Sequence, residues 1–312
     1  MRAVRATGDG VEVIEAPEPT GPGLRLRVAT SGICGSDVHL VELGSLAATP
    51  GHEFAGTLDD GTQVAVDPSA PCGACDQCQA GAGHRCRTGP QRAVGVAANG
   101  GMADTVLVDE AMLVALPAGL GLADACLVEP LGVAVHGMRI GAVTPDTRVA
   151  VVGGGTIGLA AVAAARGLGC ADVALVARHV HQQSAGERLG ASSRLDEEYD
   201  VVIEAAGTES ALAEAAARTR PGGTVVSVST HWRPVTFPGI PALMKELTFR
   251  WSYTYGSHPG GRDLDSAAAL LARDSEIAAT LVTHRFPLED AREAFRVAAD
   301  RRAGAIKVVL EP

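Results

Sequence analysis

The sequence predicts an α/β protein of two domains, a β-rich domain interrupted by a doubly wound parallel-sheet domain. Three observations carry that expectation. Up to about Gly141, short β-type runs (VEVIEAP, LRLRVATSG, EFAGTL, TQVAVDP, TVLVD) are separated by Gly, Pro and Asp turns, as in a barrel-like fold. From Arg148 the pattern changes to strand, glycine turn and Ala-rich helix, then to apolar strands (DVALVAR, YDVVIEAAG, GGTVVSVS) alternating with helical stretches such as ESALAEAAARTR. After about Ser257 a helix over Leu264–Arg273 leads to a last apolar run, AIKVVLE, able to return as a strand to the first domain.

Size and composition agree. A chain of 312 residues suits about two domains, with 46% apolar and 20% charged residues. The charge balance of 26 basic against 36 acidic residues gives −10, and no basic stripe is present, which argues against nucleic acid as a partner. The N-terminus alternates like a strand and lacks the apolar core of a signal peptide. The most apolar stretch is broken by three glycines, so it predicts no membrane span. A cytoplasmic location is the expectation, and there clustered cysteines point to metal rather than disulfides.

Four of the seven cysteines lie in PCGACDQCQAGAGHRC: Cys72, Cys75, Cys78 and Cys86, spaced C-x2-C-x2-C-x7-C. Two C-x2-C turns hold sulfur pairs within reach of one zinc ion, and Gly73, Gly81 and Gly83 let the backbone wrap it. An iron–sulfur centre is the rival reading and a disulfide pair a third. Four thiolates close the coordination sphere, so a zinc here is structural.

A second, open site is predicted from Cys34 in SGICGSDVHL and His52 in TPGHEFAG, followed by Glu53. Glu129 in CLVEPLGVAVHG supplies a further carboxylate. Zinc held by Cys34, His52 and a carboxylate keeps one position for water or an alcohol. Each residue alone is more often a packed or surface residue; their force is in arriving together.

Gly153-x-Gly155-x-x-Gly158, with Thr156 and Ile157 inside it, lies between a buried strand and an Ala-rich helix, as dinucleotide-binding turns do. The next strand ends at Ala177, Arg178 and His179, where an NAD site usually carries Asp or Glu. With no carboxylate to repel a 2′-phosphate and Arg178 able to grip one, NADP is favoured over NAD. A solvated loop arginine is the plain alternative.

GICGSDVH, GHE, the four-cysteine lobe, LVEPLGVAVHG and VVGGGTIG, in this order, resemble the zinc-dependent medium-chain dehydrogenase/reductases of the alcohol dehydrogenase superfamily. EPL is closest to the polyol (sorbitol, threonine, butanediol) branch. The resemblance covers essentially the whole chain. It implies a GroES-like catalytic domain over residues 1–141 and 257–312, with the structural zinc lobe at 72–86, and a Rossmann cofactor domain over 142–256. It also implies two zinc ions per chain, with Cys34, His52 and Glu129 matching the catalytic ligands and Glu53 a ligand in some states or a supporting group. Cys126 and Cys170 match no ligand position.

The implied reaction is reversible oxidation of a secondary alcohol, such as a polyol or cyclitol, to a ketone by hydride transfer to NAD(P). Ser36 would take the proton and His39 pass it to solvent, though a turn residue and a surface residue would look the same. Ala206, Ser227 and Ser229, ending later strands, would line the cofactor pockets, and Lys307 matches a basic position near the cofactor. Pocket walls would come from Leu40–Thr49, Met102, Tyr253 and Tyr255. Association as a homodimer or homotetramer through ELTFRWSYTY is expected. The alternatives are an aldehyde or ketone reductase working in reverse, or a non-catalytic nucleotide-binding relative.

The pattern breaks in one place. Only a handful of residues separate SSRL (Ser192–Leu195) from YDVVIEAAG, too few for the helical crossover that relatives carry. The AGTLDDGTQVAV lobe and the loop before TPGHE are trimmed as well.

Overall fold

A computed structural model describes residues 1–194, 198–300 and 302–312. The chain forms two compact units, one made of Met1–Glu129, Gly256–Ala278 and Val282–Pro312, the other of Pro130–Tyr255 and Ala279–Leu281.

The first unit begins with a hairpin of β1 (Arg2–Thr7) and β2 (Gly10–Glu15). The long β3 (Leu24–Ile33) leads through Cys34 into α1 (Gly35–Glu42), and β4 (Glu53–Leu58) and β5 (Gln63–Val66) follow. A cysteine lobe with one helical turn, α2 (Asp76–Gln79), precedes β6 (Thr105–Val108) and β7 (Leu113–Ala115).

The second unit holds most of α3 (Val128–Ile140), then β8 (Val149–Val152), α4 (Thr156–Gly167), β9 (Val173–Val176) and α5 (Val180–Arg188). It continues with β10 (Tyr199–Glu204), α6 (Glu209–Arg218), β11 (Thr219–Ser227), α7 (Gly239–Met244) and β12 (Thr248–Trp251). The chain returns to the first unit with β13 (Ser257–His258), β14 (Gly261–Arg262), α8 (Asp263–Arg273), α9 (Ser275–Leu281, its last three residues counted with the second unit), β15 (Val282–Pro287), α10 (Ala291–Ala299) and β16 (Lys307–Glu311).

The first border between the units falls inside α3, after Glu129, and the second falls at Tyr255/Gly256.

In the first unit the seven-stranded sheet runs β15-β16-β3-β4-β5-β7, with β6 also on β3. Its centre is β3, which accepts β4 along one edge and β6 and β16 along the other. AIKVVLE thus returns as β16, antiparallel to β3 through Val308, Val309 and Leu310. Alternating apolar side chains of β3, β4, β5 and β6 bury Leu26, Val28, Phe54, Val64 and Val106 in one core. The amphipathic α10 covers another, placing Phe295 and Val297 against Ile33, Met102 and Leu310.

In the second unit the order β12-β11-β10-β8-β9 is wholly parallel. The inner strands β8 and β10, with β9, are near-continuous runs of Val, Ile and Ala, as strands covered on both faces are. The missing crossover has a simple outcome: the SSRL strand is reduced to one bridge, Ser192 on Ala174 of β9, and the named strands stop there. Leu195 lies outside the described residues. Among those residues no helix is long and apolar enough to cross a membrane.

Candidate active site

The cysteine lobe closes as its spacing predicts. Sγ separations are 3.9 Å for Cys72–Cys78, 3.6 Å for Cys75–Cys78 and 4.0 Å for Cys75–Cys86. Four sulfurs about 2.3 Å from one tetrahedral zinc would stand about 3.8 Å apart, so the cage has the size of that ion. Backbone N–H groups feed the sulfurs: Cys72 N–H donates to Cys86 Sγ at 3.2 Å and Cys75 N–H to Cys72 Sγ at 3.3 Å. The Cys72 amide is the main reason that the Cys86 thiol falls to about 5, whereas desolvation, reinforced by Cys75, pushes Cys78 up to about 12.

The open site assembles at the top of β3. Cys34 ends that strand in extended conformation and caps α1, while His52 and Glu53 enter β4 opposite Gly32. Ligand atoms of Cys34, His52 and Glu53 lie within 4.8 Å of one another, a sulfur–nitrogen–oxygen set suited to zinc. Glu53 is 1% exposed, and its Oε1 is buried without a hydrogen-bond partner. A buried carboxylate oxygen with nothing to accept from is what a cation site leaves behind. Ser36 Oγ lies 3.3 Å from the His52 Nε2.

Two residues complete the pocket: Asp37, which sequence reading missed, and Lys307, whose partner it did not name. Asp37, fully buried, has Oδ1 3.3 Å from His52 Nδ1 and accepts from Cys34 N–H at 2.9 Å through Oδ2. One carboxylate therefore orients two ligands, as metal-binding histidines require. Burial would lower the His52 pKa, but Asp37 and then Cys34 outweigh it and hold the imidazole well above its usual value, so the pocket favours a cation. The only sequence sign of Asp37 is its place three residues after Cys34, at the third position of a helix.

Lys307 was expected beside the cofactor. It pairs with Glu53: both are at most 2% exposed, Nζ donates to Glu53 Oε2, and it also donates to the Ile33 carbonyl at 3.0 Å. Pairing in register with β3 brings it there, because β16 and β4 flank Gly32 on opposite edges. A Cβ on Gly32 would sit 2.2 Å from Glu53 Oε2, so glycine leaves the room in which the pair lives.

Glu129 lies buried in the first turn of α3, and the carboxylate beside Cys34 and His52 is Glu53, which the β3–β4 register puts there directly. His39, 39% exposed, is on α1 with Nδ1 3.4 Å from Glu42. Met102 is fully buried in the core and Tyr255 nearly so, whereas Tyr253 is exposed. Cys126 and Cys170 are buried, and desolvation pushes the Cys126 thiol up to about 12.

The glycine turn after β8 is built for a phosphate. Gly153 has φ +119°, in the region that favours glycine, and a Cβ there would press on Ala205 and Ala206. A Cβ on Gly158 would sit 1.8 Å from the Gly153 carbonyl, so only glycine lets α4 approach β8 this closely. Gly155, at the α4 N-cap, faces open space, and Thr156 and Ile157 begin the helix whose N-terminus suits an anion. Ala177 and the exposed Arg178 follow β9, and His179 caps α5 with its ring 5.4 Å from that of His181. Ala206 N–H donates to Glu204 at 2.9 Å, and Ser227 and Ser229 donate to the other oxygen of Glu204.

Residues 22–118 match the alcohol dehydrogenase GroES-like domain and residues 156–273 the zinc-binding dehydrogenase domain. D-xylulose reductase A of Aspergillus oryzae is 31% identical, the match spanning 92% of this chain and 91% of that one. Galactitol-1-phosphate dehydrogenase of Escherichia coli superposes with a TM-score of 0.90 at 26% identity, covering all of both chains. A Sinorhizobium meliloti protein of the zinc-binding dehydrogenase type, solved with NADP, gives 0.87 at 29% identity, covering 100% of this chain and 99% of that one. With both domain models matched in succession and a relative 31% identical along most of its length, the chain belongs to the zinc-dependent medium-chain dehydrogenases of the alcohol dehydrogenase family, which use a nicotinamide cofactor.

Proposed function

We propose that this enzyme oxidises a secondary hydroxyl of a polyol or sugar alcohol to a ketone, reversibly, with NADP in preference to NAD and with two zinc ions per chain. The observation that carries it is the convergence of Cys34, His52 and the unpartnered Oε1 of Glu53 in a pocket that favours positive charge. A D-xylulose reductase and a galactitol-1-phosphate dehydrogenase among the relatives support a polyol-like substrate.

Zinc, when bound, stabilises negative charge on the substrate oxygen, and the nicotinamide accepts the hydride. The chain's own residues do the rest. Cys34, His52 and Glu53 hold the ion, while Asp37 fixes the first two and Lys307 balances Glu53. Ser36 is the hydroxyl placed to take the substrate proton, and His39, half open to water, carries it outward. Glu129, in the first turn of α3, is the second candidate carboxylate ligand of this reading, ranked below Glu53.

Arg178 supports NADP: it is exposed at the end of β9, no carboxylate stands at 177–179, and the Sinorhizobium meliloti relative was solved with NADP. Self-association is read from β12, an edge strand with Trp251 60% exposed, beside the exposed Ile240, Leu243 and Met244 of α7. A reducing, cytoplasmic setting fits the four thiolates of the lobe.

The test is a panel of polyols and simple secondary alcohols with NAD and NADP, followed by the absorbance of the reduced nicotinamide, with zinc counted per chain. Two ions and turnover lost in Cys34→Ala support the reading. Turnover indifferent to strong chelators sinks it.

A further inference from the structure

We propose that Asn99 is a positioning residue for the open metal site: its side-chain amide fixes the stretch of backbone that presents His52. The inference rests on the zinc reading above and concerns a loop to which that reading assigns no part.

His52 stands just outside the sheet. The register of β4 on β3 stops at Glu53, opposite Gly32, so the residues that lead into His52 are held by other means. Asp37 acts on the imidazole ring. The chain that carries the ring is held by a separate loop, residues 94–102, which joins it through four hydrogen bonds. Thr49 N–H donates to Asn99 Oδ1 at 3.0 Å. Gly100 N–H donates to the Thr49 carbonyl at 2.8 Å, Met102 N–H to the Pro50 carbonyl at 3.0 Å and Gly101 N–H to the Gly51 carbonyl at 2.8 Å. Three of these bonds are main chain to main chain and belong to any sequence that follows this path. The one to Asn99 depends on a side chain. Thr49 is buried, so without that oxygen its N–H would be stranded away from water. Pro50, next in the chain, has no N–H to offer in its place.

The loop is firmly seated and lies close against its target. Val94 N–H donates to the Pro68 carbonyl at 3.0 Å, and the Met102 carbonyl accepts from Val4 N–H at 2.9 Å, with the Met102 side chain fully buried in the core under α10. Gly95, at φ +79°, comes so near that a Cβ there would stand 2.7 Å from the His52 backbone nitrogen. Gly51, at φ +101°, would put one 2.7 Å from Met102 Cγ. Cys34 and Glu53 take their places from β3 and from its pairing with β4, whereas His52 takes its place from this loop. Zinc holds its ligands to within about 0.2 Å, so a loosened Thr49–Gly51 segment moves one of three ligand atoms out of range while the other two stay. Asn99 itself is exposed, so replacing it disturbs no core packing.

The experiment is chelator competition on the zinc-loaded full chain, which reads the affinities of the open site and of the cysteine lobe separately. Cobalt exchanged into the open site gives a second readout, a visible spectrum sensitive to ligand geometry. Asn99→Leu removes the acceptor at nearly constant size, and Asn99→Asp keeps an oxygen for the Thr49 N–H. Expected is zinc bound about five- to twentyfold more weakly at the open site of the Leu variant and within about twofold of wild type in the Asp variant, with the lobe ion unchanged in both. The cobalt spectrum should change in the Leu variant and not in the Asp variant. Equal open-site affinity in wild type and the Leu variant overturns the proposal, as does an equal loss at both metal sites or an Asp variant as weak as the Leu one. A wild-type protein that takes up no metal between Cys34 and His52 overturns the underlying zinc reading instead.

Discussion

Lys307 and Glu53 form an ion pair in which neither side chain is more than 2% exposed, and Glu53 is also the carboxylate that stands with Cys34 and His52. Burial would lower the lysine's pKa, but Glu53 and then Cys34 outweigh it and hold it above its usual value. The pair sets a cation against a carboxylate in a dry pocket. Lys307→Met leaves that charge uncompensated and is expected to cost about 3–5 kcal/mol. The double change with Glu53→Gln should recover a substantial part in urea unfolding at fixed zinc. A lysine with a raised pKa contributes below its unfolded value and loses the contribution only as pH rises through the folded one. The gap between wild type and Lys307→Met is therefore expected to stay constant from about pH 6 to 9. A gap that vanishes within that window would contradict the pairing.

Asp37 holds the two other members of the pocket. Asp37→Asn keeps the shape and removes the charge that orients His52. Zinc affinity at this site should fall about ten- to hundredfold, read by competition with a chelator, while the ion of the cysteine lobe is retained. Loss of both ions together would assign Asp37 a general folding role.

Removing a sulfur from the lobe should do the converse. Cys78→Ser is expected to lower the zinc count by one and to lower the melting temperature, with the Cys34 site still able to take its metal. An unchanged zinc count would show that the four sulfurs do not share one ion.

Gly158→Ala puts a Cβ 1.8 Å from the Gly153 carbonyl, so α4 must lift from β8. Affinity for either dinucleotide is expected to drop more than about tenfold, with both zinc ions kept. Arg178→Ala, by contrast, should weaken NADP more than NAD; an unchanged ratio of the two affinities would refute the preference argued from Arg178.

Much of this was legible in the sequence because it depends on local spacing. The lobe is one loop, the phosphate turn is one strand–turn–helix, and β4 occupies the EFAGTL run itself. What was hidden depends on register between distant strands. Lys307 reaches Glu53 only because β16 and β4 flank β3, and no local pattern in AIKVVLE announces a buried cation. That Glu53 stands with Cys34 and His52 likewise follows from the pairing of β4 with β3.

The vacancy at Gly32 has a consequence for how this chain can change. That position is fixed by the width of a charged pair and not by its own backbone, so even the smallest side chain would wedge Lys307 and Glu53 apart. Mutational drift at residue 32 is closed, and any attempt to reshape the pocket for a new alcohol has to begin elsewhere.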